Sequence, residues 1–374
     1  MTTAASPGQG TPQRVPFWDN ARFACVTLVV IGHGVQRLIA DFDGALVLYL
    51  VIYAFHMPAF AIISGYFSKA GPPSVKALRR VLTDIVLPYV IMESIWTLVQ
   101  FLVEGRSEFN PSQPSWTLWF LLALAIFRLV LPYLALLRWP LLISVVLSVG
   151  VGYFANVDST FSLSRAIGIL PFFVLGWKLR EGALVDGWLR KPTGSTLIRI
   201  VAGLVLAGWT AIVVLHRDYF RDVDLRYWFF YSESYHGLGE DDWWAGLVRL
   251  ALMTLAVLLS AAFLVLLPRG RNWTTALGRR TMYVYLLHSF VLYPIRESGF
   301  LQSDAADQWW VLPVVAFCIV LSAALATRPV MRLLRPIIEP RPSWLFKDGL
   351  PPRGGGPRAD AGGRPADAAP PRGD

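Results

Sequence analysis

The chain has 374 residues, of which 55% are hydrophobic and 16% charged, against roughly 25% charged in ordinary soluble domains. That excess of apolar sequence excludes an ordinary soluble enzyme. The net charge of +9 does not mark a nucleic-acid binder, because the Lys and Arg sit in short loops between apolar blocks.

The blocks are about 17–24 residues long, the length a helix needs to cross a bilayer's hydrocarbon core. A helix also satisfies every backbone amide within its own segment. The sequence therefore predicts an all-α, polytopic membrane protein with about ten transmembrane helices, at 20–40, 45–67, 81–103, 117–136, 140–154, 163–178, 197–215, 245–267, 281–297 and 309–327. This membrane domain, 17–345, is flanked by two segments expected to be disordered: a Pro/Gly/Thr-rich one at 1–16 and a Pro/Gly/Ala/Arg/Asp-rich one at 346–374. The first block lacks a small-residue cleavage site and is expected to stay as a helix. Lys and Arg collect in alternate loops (Lys69 to Arg80, Arg138, Lys178 to Arg199, Arg269 to Arg280), while the opposite loops hold only Arg106, Arg217, Arg221 and Arg226. That bias predicts both termini in the cytoplasm, and the membrane is expected to be a bacterial cytoplasmic (inner) membrane. Cys25 and Cys318 lie inside apolar blocks and read as small buried hydrophobes.

In the first helix, Arg22 and His33 are eleven residues apart. At 100° per residue they fall about 20° from a whole number of turns, on one face and about 16 Å apart along the axis. Arg22 would sit at the cytoplasmic boundary and His33 near mid-membrane, which suits a substrate with an anionic part at the surface and a reacting group deeper in. The competing reading is a topology anchor and a satisfied interior histidine. An ionisable residue inside a span is a functional candidate by default. In the second helix, His56 falls at a depth to face His33, Pro58 bends the chain, and Ser64-Gly65-Tyr66 offers small residues for close helix packing.

In the following loop, Arg79 and Arg80 suit phosphate binding, although lipid head groups or topology explain them equally well. Asp84 and Glu93 are nine residues apart and point to opposite sides of a straight helix; Glu93, the deeper, is the better site candidate. Trp116 and Trp119 are expected at the outer interface, where Trp is common. His288 enters about two turns into the ninth helix. No His pair stands at i, i+4, and no metal site is expected. The sequence has no Walker loop, no dinucleotide glycine fingerprint and no G-x-S-x-G elbow.

Five stretches together resemble the acyltransferase-3 family of integral membrane acyltransferases, in its fucose 4-O-acetylase-like branch. They are Asp19-Asn20 with Arg22 and His33, FHMPAFAIISGYF at Phe55 to Phe67, WTLWFLLAL, ILPFFVLGWKLR and GRRTMYVYLLH. The resemblance implies transfer of an acyl group, usually acetyl, from acetyl-coenzyme A as donor substrate, with no bound cofactor. The acceptor implied is a hydroxyl of a sugar or cell-surface glycan. It also implies that the histidine at His33 is essential, together with the arginine at Arg22. The residues expected to carry the chemistry are therefore His33, Arg22 and His56. Substrate contacts are expected from Asp19, Ser64, Tyr66, Arg79, Arg80, Glu93, Trp119 and His288, and the partners are acyl-coenzyme A, a glycan acceptor and membrane lipids. The alternatives are a transporter of a glycan or small solute with an intramembrane His/Glu proton relay, against which stands the lack of paired repeats or interrupted helices, and a non-catalytic scaffold.

Overall fold

A computed structural model describes residues 14–72, 74–105, 109–190, 196–302, 308–340 and 342–346. Residues 1–13 of the expected flank 1–16 and 347–374 of the expected flank 346–374, with Arg106 and Lys191, lie outside the described residues. Among the described residues there is no strand.

Helix α1 (Pro16–Val35) begins on a proline, whose missing N–H costs nothing at a first helical position. It therefore starts four residues earlier than the expected position 20. Its end at Val35 places His33 in the last turn. The second expected helix is two, α2 (Asp43–Tyr53) and α3 (His56–Tyr66). Pro58 has no N–H to offer the carbonyl of Ala54, and Phe55 leaves helical geometry at φ −144°. This corrects the expectation that no helix is interrupted.

Helices α4 (Val75–Val81) and α5 (Leu87–Glu104) are joined by a π-helical turn at Leu82–Val86. Then follow α6 (Trp119–Leu134), α7 (Pro140–Val151), α8 (Leu163–Glu181), α9 (Leu184–Arg190) and α10 (Thr196–Leu215). The loop 216–244 carries the short α11 (Arg217–Asp222) and α12 (Leu225–Trp228). The chain continues through α13 (Ala245–Leu266), α14 (Trp273–Leu277), α15 (Thr281–Glu297) and α16 (Val311–Leu325) to α17 (Arg328–Ile338), bent 71° from α16.

Each of the ten expected segments holds a helix. Five stretches are long and apolar enough to cross a membrane: Asp43–Tyr66, Val75–Glu104, Thr160–Glu181, Thr196–Leu215 and Ala245–Leu266; a sixth is the bent pair α16–α17 taken as one span. Helices α6 and α7 are apolar but have only 16 and 12 residues. Much of α10 faces outward with large apolar side chains, among them Leu197, Leu204 and Leu215, a surface that water would not tolerate and lipid would. The protein is an all-helical, multi-pass membrane protein.

Helix α1 is central. It packs on α3 to one side and on α14, α15 and α16 to the other, and α8 lies across α3. That crossing is close because it is made by glycines on both helices. A Cβ on Gly65 would collide with the Phe173 carbonyl, and one on Gly176 with the Ile62 carbonyl. Small residues let membrane helices pack backbone against backbone. Arg249, 2% exposed, ties the loop 216–244 down. Its guanidinium donates to the carbonyls of Ser148 (3.2 Å) and Glu233 (3.1 Å) and lies over the Tyr235 ring.

Candidate active site

Where α1 finishes, the α2–α3 break, the loop before α6, the start of α8 and the loop 216–244 close around a cavity of about 120 Å³. It is lined by His33, Gln36, Tyr53, His56, Met57, Trp116, Trp119, Arg165, Ile169, Phe229 and Phe230. The His33 ring stands 5.1 Å from Trp116, 5.5 Å from His288 and 6.4 Å from Tyr53, centre to centre; Tyr53 stands 4.6 Å from His56.

The helix break fixes His56. Its Nδ1 lies 2.9 Å from the Ile52 carbonyl, across the interruption. A carbonyl only accepts, so Nδ1 carries the proton and Nε2 keeps its lone pair. His288 is set the same way, Nδ1 lying 3.0 Å from the Val284 carbonyl. His33 differs, because its Nδ1 is buried with no hydrogen-bond partner. His288 is buried behind the His33 ring and does not line the cavity.

Trp116, expected at the outer interface, forms a wall against His33. Its backbone sits at φ 29°, a strained conformation for an aromatic residue, costing about 1–3 kcal/mol. The neighbours hold it there. The Glu93 carboxyl accepts from Ser115 N at 3.0 Å and from Ser115 Oγ at 2.5 Å, and Tyr285 donates to the Thr117 carbonyl. The Arg296 guanidinium covers the Trp116 ring at 5.1 Å. Glu93 therefore lies under this loop and not in the cavity, where a substrate contact would put it.

Arg165 went unremarked in the sequence. Its guanidinium sits over Trp119 at 5.1 Å and over Phe230 at 5.8 Å, with Nε buried and unpartnered. The rule that singled out the histidines, an ionisable group inside an apolar block, applies equally to Arg165 and to Arg128 on α6.

At the opposite end, where α1 begins, a second cavity of about 280 Å³ is lined by Phe67, Ser68, Lys69, Gly71, Ala77, Leu78, Arg80, Val81, Arg128, Leu129 and Pro132. Arg22 stacks its guanidinium 4.2 Å above the Phe67 ring at the margin of this cavity. The adjacent pair splits: Arg80 lines the cavity, while Arg79 covers the Phe346 ring at 4.3 Å. Asp19, 1% exposed, is an ion-pair hub for Arg14 (3.0 Å), Arg22 (3.6 Å) and Arg279 (3.6 Å). It orients cations and does not line either cavity. Its neighbour Asn20 donates to the carbonyls of Pro268 and Gly270 and accepts from Thr274 and Thr275, pinning the α13–α14 loop to α1.

Ser64 and Tyr66 are also away from the histidines. Ser64 precedes the Gly65 crossing, and its carbonyl accepts from Ser68 Oγ. Tyr66 donates to Asp186 and packs on Trp18 in a separate apolar cavity. The structure thus brings together His33, His56 and Trp119, with His288 behind them, and places Arg22 and Arg80 at the other end. Among the described residues, no group of three or more His, Cys, Asp or Glu side chains is placed to hold a metal ion.

The sequence model of the acyltransferase-3 family, described as an acyltransferase domain, matches residues 15–328. The nodulation protein NolL of Mesorhizobium japonicum is 37% identical over 101 residues, which are 24% of this chain and 26% of that protein. The chain thus spans about a quarter of that relative's length. No solved structure matches. Because the family match runs from the first described residues to the end of α16 and takes in both cavities, the chain belongs to the acyltransferase-3 family of membrane proteins.

Proposed function

We propose that the protein moves an acyl group, acetyl in the first instance, from a coenzyme A thioester to a hydroxyl of a sugar or cell-surface glycan. The single observation carrying this reading is the placement of two sites on one helix. The His33 cavity and the basic cavity near Arg22 lie at opposite ends of α1, about 16 Å apart by helix rise. Coenzyme A has that shape, a phosphorylated head and a long arm ending in the thioester. Lys69, Arg80 and Arg128 would hold its phosphates, Arg with bidentate geometry, while the thioester reaches the histidines.

The chemistry follows from the groups present. His33, with Gln36 as the polar side chain beside its ring, takes the proton from the acceptor hydroxyl as that oxygen attacks the thioester carbon. Negative charge develops on the carbonyl oxygen, and Arg165 is the cation in the same cavity to offset it. The carbon–sulfur bond then breaks, and the departing thiolate takes the proton back from His33. His56 is the second base candidate. The wider reading has ten spans, both termini in the cytoplasm and the bacterial cytoplasmic membrane as location, with the donor on the cytoplasmic side.

The test is transfer of labelled acetyl from acetyl-coenzyme A to glycan acceptors by the protein in lipid vesicles. His33→Gln keeps a hydrogen-bonding group and removes the base, so transfer should fall by about 10²–10⁴-fold, with expression and membrane insertion unchanged. Retention of more than about a tenth of the wild-type rate exceeds what loss of a general base allows and would pass that role to His56.

A further inference from the structure

A third cavity, of about 250 Å³, opens where α1 finishes and is lined by Arg37, Arg226 and Arg296 together with Gln36, Ile39, Ala40, Tyr49, Tyr227 and Phe230. It adjoins the reacting cavity, since Gln36 and Phe230 line both. We infer that this vestibule receives the acceptor and selects one carrying a carboxylate or phosphate close to the hydroxyl that is acylated; the word acceptor rests on the function proposed above.

The lining chemistry is one-sided. Its charged side chains are three guanidiniums, and among the described residues no carboxylate lines the cavity. The acids that pair with these arginines lie outside the lining. One carboxylate oxygen of Glu297 serves both Arg37 (3.0 Å) and Arg296 (3.1 Å), and Asp224 pairs with Arg226 (3.2 Å). Glu233 acts on Arg165 in the adjoining cavity. Nε of Arg37 and Nε of Arg226 are buried without a hydrogen-bond partner, while Nε of Arg296 faces Glu297. Buried donors left unmade are costly, and most in folded proteins are satisfied. Two such donors belong to arginines that line one small cavity, and with the third arginine they make it a place for acceptor atoms that a ligand would bring.

The position fits an acceptor rather than a donor. Arg296 lies 5.1 Å from the Trp116 ring, which lies 5.1 Å from His33. An anion held there leaves the neighbouring hydroxyl within reach of His33. Tyr49, Tyr227 and Phe230 supply flat apolar faces of the kind a sugar ring covers. The phosphate-binding candidates for coenzyme A, Lys69 and Arg80, are at the other end of α1.

Binding is measured by calorimetry on the full chain in detergent, so no turnover is needed. The probes are a glucuronate-containing oligosaccharide, its carboxyl-reduced neutral counterpart, and the neutral form carrying one phosphomonoester. Either charged probe should bind at least about tenfold tighter than the neutral one, the scale of one charge-assisted contact, and the stronger of the two names the anion. Arg226→Gln should remove most of that preference and Arg226→Lys restore part of it, which separates charge from folding. Coenzyme A should not compete. Equal binding of neutral and charged probes, no binding of any, or displacement by coenzyme A overturns the inference. Labelled acetyl transfer to a neutral acceptor alone would overturn it while leaving the proposed acyltransferase intact.

Discussion

Glu93→Ala separates positioning from binding. In the structure Glu93 accepts two hydrogen bonds from Ser115, each worth about 0.5–1.5 kcal/mol net, or up to 3 if charged. Their loss costs about 2–3 kcal/mol. Part of this is returned, because the loop they hold contains Trp116 at φ 29°, and release of that strain recovers about 1–3 kcal/mol. The net change in stability is therefore small, between roughly −1 and 2 kcal/mol. Activity has no such compensation. A Trp116 wall that relaxes by about 1 Å misplaces the reacting groups, and such shifts cost on the order of 100-fold. Steady-state acetyl transfer and thermal inactivation in detergent, measured on the same preparations, should give a kcat down by about two orders of magnitude, an unchanged donor KM and a nearly unchanged inactivation temperature. Glu93→Gln keeps one accepting oxygen and should stay within about tenfold of wild type. A raised donor KM at constant kcat would refute the reasoning and make Glu93 a substrate contact. An activity loss that merely follows instability would refute it equally.

Gly65→Ala drives a methyl group into the Phe173 carbonyl and should destabilise the α3–α8 crossing by about 1–3 kcal/mol or more, read as a lower inactivation temperature. Gly203→Ala, in α10 with nothing within 4 Å of its Cβ, should be neutral or slightly stabilising. Arg80→Ala and Arg128→Ala should each raise the KM for acetyl-coenzyme A by about tenfold or more with little effect on the acceptor KM; equal effects on both substrates would remove this cavity from donor binding.

The helices were legible in the sequence because a bilayer imposes a length. Each of the ten blocks of about 20 apolar residues holds a helix, and the ninth, 281–297, coincides with α15 (Thr281–Glu297), but only five stretches, or six with the bent pair, are long and apolar enough to cross a membrane. Gly65 was legible as a packing residue for the same kind of reason, since a small residue in an apolar helix has little else to do. What failed were breaks that local chemistry makes within a helix. Pro58 signalled a bend, yet the separation of α2 from α3 also needs Phe55 outside helical geometry and the His56 ring on the Ile52 carbonyl. The π-helical turn at Leu82–Val86 has no signature in hydropathy, and its extra residue per turn changes which faces Asp84 and Glu93 present.

The site was half legible, and the missing half has one cause. Single-helix geometry put Arg22 and His33 on one face of α1, and depth brought His56 to the same level; each inference needs only one element. Arg165, Arg296 and the Trp116 wall depend on contacts between elements far apart in the chain, with α5, α6, α8, α15 and the loop 216–244 all meeting at the end of α1. Glu93 illustrates the difference. Its burial in an apolar helix marked it as a candidate, but nothing local says whether a buried carboxyl faces a substrate or a backbone amide. The amide belongs to Ser115, 22 residues away. A strained Trp116 held between α5 and α15 is stable only because several elements over-determine it. The Trp116 wall is therefore a property of the assembled bundle, and variants of Glu93 or Tyr285, neither of which lines the His33 cavity, should disturb the proposed reaction through Trp116.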